Sequence, residues 1–178
     1  MVDPNTLEHS FRQKGNSCIL ASYGIASSHL TQYSVEDFFQ DYCKEIDKES
    51  VPSAEEVYDE YFHDEYRTKK VPGYHLIIDL HEKSSQSSFA ETRKVFDIEF
   101  IQDVDANMQR IENSLMNEVA LLSGSFPVGT NYHSALFGYF NNSFYYIDTR
   151  PAQVPNGIVP TNSLANMKIG DGILLTKI

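Results

Sequence analysis

The sequence predicts an α+β fold, with helices first and antiparallel strands second. Two patterns and one absence lead there. Apolar residues recur at helical spacing in several segments before residue 118. From Glu118 onward short β-forming runs take over, two of them separated only by Asn141-Asn142. No repeat and no linker interrupts the 178 residues, a length that suits one domain, 1–178, with a full core.

Residues 1–12 read as extended, with Phe11 tucked against the domain. The first helix carries Cys18 in its first turn, with Asn16 or Ser17 as N-cap and Ile19, Tyr23, Ala26 and Leu30 as one buried stripe. Ser34 and Asp37 form a capping-box variant, followed by the wide apolar face Val35, Phe38, Phe39, Tyr42 and Ile46 of a second helix over 35–46. Cys43 lies beside that face and reads as core. Ser53 and Glu56 repeat the capping pattern ahead of a third helix over 54–66. It is acidic and tyrosine-rich, which describes a solvated helix with its aromatics on the core, or a rim for a cation or a partner. Pro72-Gly73 is a turn.

Tyr74 to Leu80 fits either a strand or a short buried helix, and the polar run Lys83 to Ser88 reads as loop. Phe96, Ile98 and Phe100 alternate with Asp97 and Glu99, as in a half-buried strand. Met108, Ile111 and Leu115 predict a further helix. Val119 to Ser123, Tyr132 to Phe140, Ser143 to Thr149 and Ile173 to Thr176 are the later strands. An irregular Pro-containing segment from Pro151 to Pro160 precedes the last of them.

Acidic residues outnumber basic ones 25 to 14, for a net charge of −11, which argues against a nucleic-acid surface. Such a charge suits a cationic substrate or simply keeps the chain dissolved. The two cysteines, Cys18 and Cys43, fall on separate predicted helices and outside any C-x-x-C pair. Neither a disulfide framework nor a metal site is expected, and no cofactor motif is present. The first residues lack the basic and apolar regions of a signal peptide, and no apolar run reaches membrane-spanning length. A reducing cytosol is the expected compartment; leaderless export leaves no trace in a sequence.

Cys18 stands in the first turn of its helix, where unpaired N–H groups and the helix dipole favour an anion. A thiol there ionises more readily, and the thiolate is the nucleophile. The plain alternative is a small buried apolar residue. A hairpin near the C-terminus shifts the balance. With Asn141-Asn142 as its loop, Asp148 faces Ala135, and His133 is a diagonal neighbour on the same face, roughly 7–8 Å away between Cα atoms. A carboxylate there orients the imidazole and supports its charged form. Cys18 as nucleophile, His133 as general base and Asp148 as its orienting partner make up the parts for acyl transfer. Gln13, just ahead of the helix, can donate its amide to an oxyanion together with the Cys18 N–H. His75 is the alternative base; the remaining histidines lie on less suitable elements.

These pieces resemble the papain-like cysteine enzymes, and most closely the compact bacterial branch around the bacteriocin leader peptidases. Gln13, Cys18, the apolar strand Val119 to Ser123, H-S-A-L-F-G-Y and Y-Y-I-D-T-R-P carry the likeness over most of the chain, residues 50–105 excepted. Ile19 stands where that family has Gly, and the Gln-to-Cys spacing is one residue shorter, which makes Asn16 the alternative oxyanion donor. The resemblance implies a papain-like fold and a Cys18-His133-Asp148 triad acting through an acyl-Cys18 intermediate. It implies narrow-specificity hydrolysis of a peptide or amide. The helix C-I-L-A-S-Y-G-I-A-S-S-H-L followed by S-V-E-D-F-F is similar also to the butirosin-type amide-forming acyltransferases. That likeness implies transfer of an acyl group from a thioester, free or carrier-bound, to an amine, with the acidic surface suiting a cationic acceptor. A non-catalytic acidic binding module is the third expectation.

Overall fold

The computed structural model describes residues 1–13, 17–46, 73–150 and 155–178. The predicted third helix, 54–66, lies outside them, as do Asn16, His63 and the Pro72 half of the predicted turn. Among the described residues there are five α-helices: α1 (Cys18–Ser28), α2 (Val35–Ile46), α3 (Tyr74–Lys83), α4 (Ser87–Val95) and α5 (Met108–Asn117). The strands are β1 (Phe96–Ile101), β2 (Ala120–Val128), β3 (Asn131–Phe140), β4 (Ser143–Ile147), β5 (Ile158–Thr161) and β6 (Gly172–Lys177). They form one antiparallel sheet in the order β1-β6-β2-β3-β4-β5. The α+β expectation holds.

Side chains alternate across a strand, so each strand supplies two cores. Leu121, Leu136, Ile147, Ile173 and Leu175 face α1–α4. Leu122, Ala135, Phe137, Phe144 and Leu174 face α5 and the segment leading into β6. With both faces covered, β2, β3 and β6 carry long apolar runs, and β2 and β3 are the two central strands of the sheet.

Three local features differ from the sequence reading. Helix α1 is buried nearly all round, from Leu20 to Ser27, because α2, α3 and the sheet all pack on it; its core contact is not one stripe. The run expected as loop after Lys83 contains the start of α4. One of the unpaired N–H groups in the first turn of that helix is capped from a distance, Ser88 N donating to Asp41 Oδ2 of α2 at 3.0 Å, while Phe89 and Thr92 turn inward. The stretch before residue 160 is not wholly irregular, since β5 pairs with β4. Pro160, which lacks an N–H, is accommodated because β5 is the sheet edge. The ambiguous Tyr74–Leu80 run is helical.

The capping box before α2 closes in both directions, Ser34 N to Asp37 Oδ2 at 2.9 Å and Asp37 N to Ser34 Oγ at 3.3 Å. Beyond a short 3₁₀ turn at Pro4–Thr6, the N-terminal segment is packed in place. Phe11 lies on Phe39 with ring centroids 5.7 Å apart, and Tyr145 donates its hydroxyl to Val2 O at 2.7 Å. The Tyr145 ring reaches Val2 by crossing Gly138, where any Cβ would collide with the phenol oxygen.

His81 is buried in this core, its Nδ1 2.8 Å from the Tyr23 hydroxyl and its Nε2 3.1 Å from Phe96 O. Burial pushes its pKa down from 6.5 to about 4. Between those values the unfolded chain takes a proton that the folded one refuses, so stability falls as pH drops through the window and levels off below it. From pH 7 to pH 4.5 the native protein should lose roughly 2–3 kcal/mol more than a His81→Gln variant, read from urea midpoints. Parallel pH profiles for the two proteins would exclude this role.

Candidate active site

The Asn141-Asn142 loop positions the centre of the site. Both residues adopt positive φ, 53° and 63°, the twist a two-residue hairpin needs. The loop fixes Phe140 opposite Ser143 and Leu136 opposite Ile147, the register the sequence implied. His133 on β3 and Asp148 just past β4 then meet, Nε2 to Oδ1, at 3.2 Å, both almost fully buried. The oxygen lies off the N–H line, so the contact is an ion pair more than an aligned hydrogen bond. Phe126 stacks edge-on against the imidazole at 5.6 Å and limits its movement.

Cys18 is the first residue of α1 and is half-buried. Ser17 occupies the N-cap, although its hydroxyl does not cap the helix. Burial alone would push the Cys18 thiol up. The hydrogen bond to His133, the charge of the ring, and hydrogen bonds with the backbone and side chain of Ser134 outweigh it, so the thiol lies below its ordinary value. For His133 burial pulls the pKa down, but Asp148 and Cys18 raise it above the ordinary value. The two opposite shifts favour a thiolate beside an imidazolium. Because Nε2 is turned to the carboxylate, Nδ1 is the ring nitrogen that can serve the sulfur.

Asp148 is held by more than the histidine. Arg150 grips it with Nε on Oδ1 at 3.1 Å and a terminal nitrogen on Oδ2 at 2.8 Å, and the Arg150 N–H adds a bond to Oδ1 at 3.0 Å. Burial opposes ionisation of this carboxyl, yet His133 and Arg150 together hold it well below the usual carboxylate range. Arg150 was not singled out from sequence. Its signal is the D-T-R spacing, in which an Asp bonds the backbone two residues on.

Gln13 is buried beside the same corner. Its N–H donates to Thr149 O at 2.7 Å, and its Oε1 accepts the Thr149 hydroxyl, so its amide nitrogen is the donor end. The neighbour of Asp148 thus fixes Gln13. Asn16, the alternative oxyanion donor, is outside the described residues. His75 is exposed on α3 against Phe100, 4.6 Å between ring centroids, and makes no contact with Cys18 that would support it as a base. His9 and His29 bond Asn156 O and Thr6 Oγ1 on the N-terminal side. Cys43 is fully buried in the core, as expected.

The hydroxyls behind the thiol carry no local signal in the sequence. The Tyr74 hydroxyl lies 2.8 Å from Ser134 Oγ and 3.0 Å from Ser125 Oγ, and the two serines are 3.2 Å apart. This closed triangle supports the Ser134 hydroxyl that touches the sulfur. Next to it is a cleft of about 300 Å³ lined by Ser125, Tyr132, Gly170 and Asp171. Larger depressions along α5 and at the end of β1 contain neither a thiol nor an imidazole. No metal-binding cluster occurs among the described residues, and no helix among them is long and apolar enough to cross a membrane.

Compared with known proteins, the chain matches no family and no curated sequence.

Proposed function

We propose that the protein is a papain-like thiol acyl-transfer enzyme. The observation that carries this reading is the meeting of Cys18 at a helix N-terminus with the buried His133–Asp148 pair. In the reaction, the Cys18 proton passes to His133 and the sulfur attacks a carbonyl carbon. The tetrahedral oxyanion is received by the Cys18 N–H, with the Gln13 amide as second donor. His133 returns the proton to the departing amine or thiol as its bond to carbon breaks. Water then attacks the thioester, again giving its proton to His133, and the acid leaves as Cys18 is regenerated. Asp148, clamped by Arg150, keeps the ring in one orientation through both halves. Narrow-specificity peptide or amide hydrolysis is the main reading. In the second reading an amine takes the place of water and an amide forms; the acidic cleft beside Ser125 favours it, because a cationic acceptor would collect there.

The testing measurement is the alkylation rate of Cys18 against Cys43 as a function of pH, by peptide mapping. Cys18 should react well below the ordinary thiol pKa of about 8.5 and should return toward that value in His133→Ala. An ordinary profile for Cys18 in the native protein would leave it a core residue and favour a non-catalytic binding module.

A further inference from the structure

The cleft beside the thiol has a charge that nothing in the site uses. Residues directly opposed on paired strands share a face. Ser134 of β3 opposes Ser125 of β2, and just past the last β2–β6 pair, Gly124 with Gly172, Gly170 and Asp171 both meet Ser125 and line the cleft with it. The Ser125 N–H donates to Asp171 O at 3.0 Å and Gly170 N donates to Ser125 O at 2.8 Å, so this row is locked by backbone bonds. Cys18, Ser134, Ser125 and Asp171 therefore form a polar line that starts at the nucleophile and ends, about 10 Å from Ser134 at a strand spacing of nearly 5 Å, on a carboxylate. Asp171 has no ion-pair partner among the described residues. Tyr132 lies two residues before Ser134 on the same face; the residue is 73% exposed and lines the same cleft. A carboxylate and an open aromatic face on a backbone-locked floor are what a quaternary or primary ammonium, or a guanidinium, binds.

We infer that this cleft is a subsite for a cationic group, carried either by the acyl donor next to the attacked carbonyl or by the amine that accepts the acyl group. The inference rests on Cys18 acting as the nucleophile. Asp171 supplies the charge, Tyr132 the ring face, and Ser125 the polar floor that joins the subsite to Ser134.

The test compares thiol modification by methanethiosulfonates carrying a 2-aminoethyl, a methyl or a 2-sulfonatoethyl group. Native Cys18 should prefer the cationic reagent over the anionic one, and Asp171→Asn should lower that ratio about fivefold, as expected for one charge about 10 Å away in a largely aqueous cleft. Tyr132→Ala should lower it less. Glu36→Gln removes the same charge from the first turn of α2, at the far end of α1, and should leave the ratio nearly unchanged. Equal ratios in Asp171→Asn and the native protein overturn the subsite. If Cys18 reacts with none of the three reagents, the acyl-transfer reading fails instead. The subsite is then decided by titration with 1,4-diaminobutane, in which saturable amide-shift changes at Ser125, Gly170 and Asp171 support it and their absence overturns it.

The source of the cation is separated by two acylation assays. If lysine 4-nitrophenyl ester acylates Cys18 faster than the norleucine ester, and Asp171→Asn removes the difference, the donor carries the charge. If 1,4-diaminobutane discharges acetyl-Cys18 faster than butylamine does, with the same dependence on Asp171, the acceptor carries it. A preference in neither assay overturns the inference.

Discussion

Mixing the protein with 4-nitrophenyl acetate should give a burst of one nitrophenolate per chain and an acetyl group on Cys18, and Cys18→Ala should give neither. The burst reports the first half of the reaction without knowledge of the natural substrate. His133→Ala should slow it on the order of 10⁴-fold, because the sulfur loses the base that takes its proton and the charge that stabilises it. Neither variant should unfold. Cys18 is half-buried, and the space left by His133 borders the ring of Phe126, which can close on it in part. A persistent burst in Cys18→Ala, or acetylation at Cys43, would remove Cys18 from the mechanism.

The second large effect concerns Asp148, and it divides between rate and stability. Asp148→Asn keeps the shape but loses the charge facing both His133 and Arg150. The burst should slow by about 10²–10³-fold, less than for His133→Ala, because the base survives in a poorer orientation. The pH profile of Cys18 alkylation should move upward with it, since the imidazolium that stabilises the thiolate loses its own partner. Asp148→Ala goes further. It leaves a buried imidazole and a mostly covered guanidinium without a carboxylate, and should cost about 2–3 kcal/mol by urea denaturation, below the usual range for buried pairs because Arg150 is 26% exposed. Removing Arg150 as well should recover part of that loss. A slow burst with an unmoved alkylation profile would assign Asp148 a purely structural role.

The His133–Asp148 pair was legible in the sequence because two adjacent asparagines in a tight loop leave a hairpin only one register. Everything on the two strands follows by counting. Helix α2 was legible for a similar reason, since its cap and its apolar face are both local. The parts that were not legible depend on residues distant in sequence. Helix α4 takes its cap from Asp41, and nothing between Ser84 and Ser88 announces it. Strand β5 contains a proline, which is admissible only once the opposite strand and the sheet edge are known. Tyr74 reads as the first residue of an apolar run that fits either a strand or a short helix; that its hydroxyl reaches Ser134 requires α3 to be docked on the sheet. Gln13 was found from its place before Cys18, yet the group that fixes it, Thr149, comes from the other end of the chain.

The hairpin also separates the site into a local part and a long-range part. His133 and Asp148 are brought together by one short loop, a contact of low sequence separation that can close within microseconds of the strands becoming available. Cys18 arrives by a different route, from the opposite end of the chain, and meets the imidazole only when α1 has docked against β3. The base and its carboxylate can therefore exist in a partly assembled chain while the sulfur is still an ordinary, largely protonated thiol. On the proposed function, the enhanced nucleophilicity of Cys18 would require that long-range contact, and an incompletely folded molecule would carry Cys18 as an ordinary thiol. Under that reading the reactivity of one sulfur would report on the docking of two distant parts of the chain.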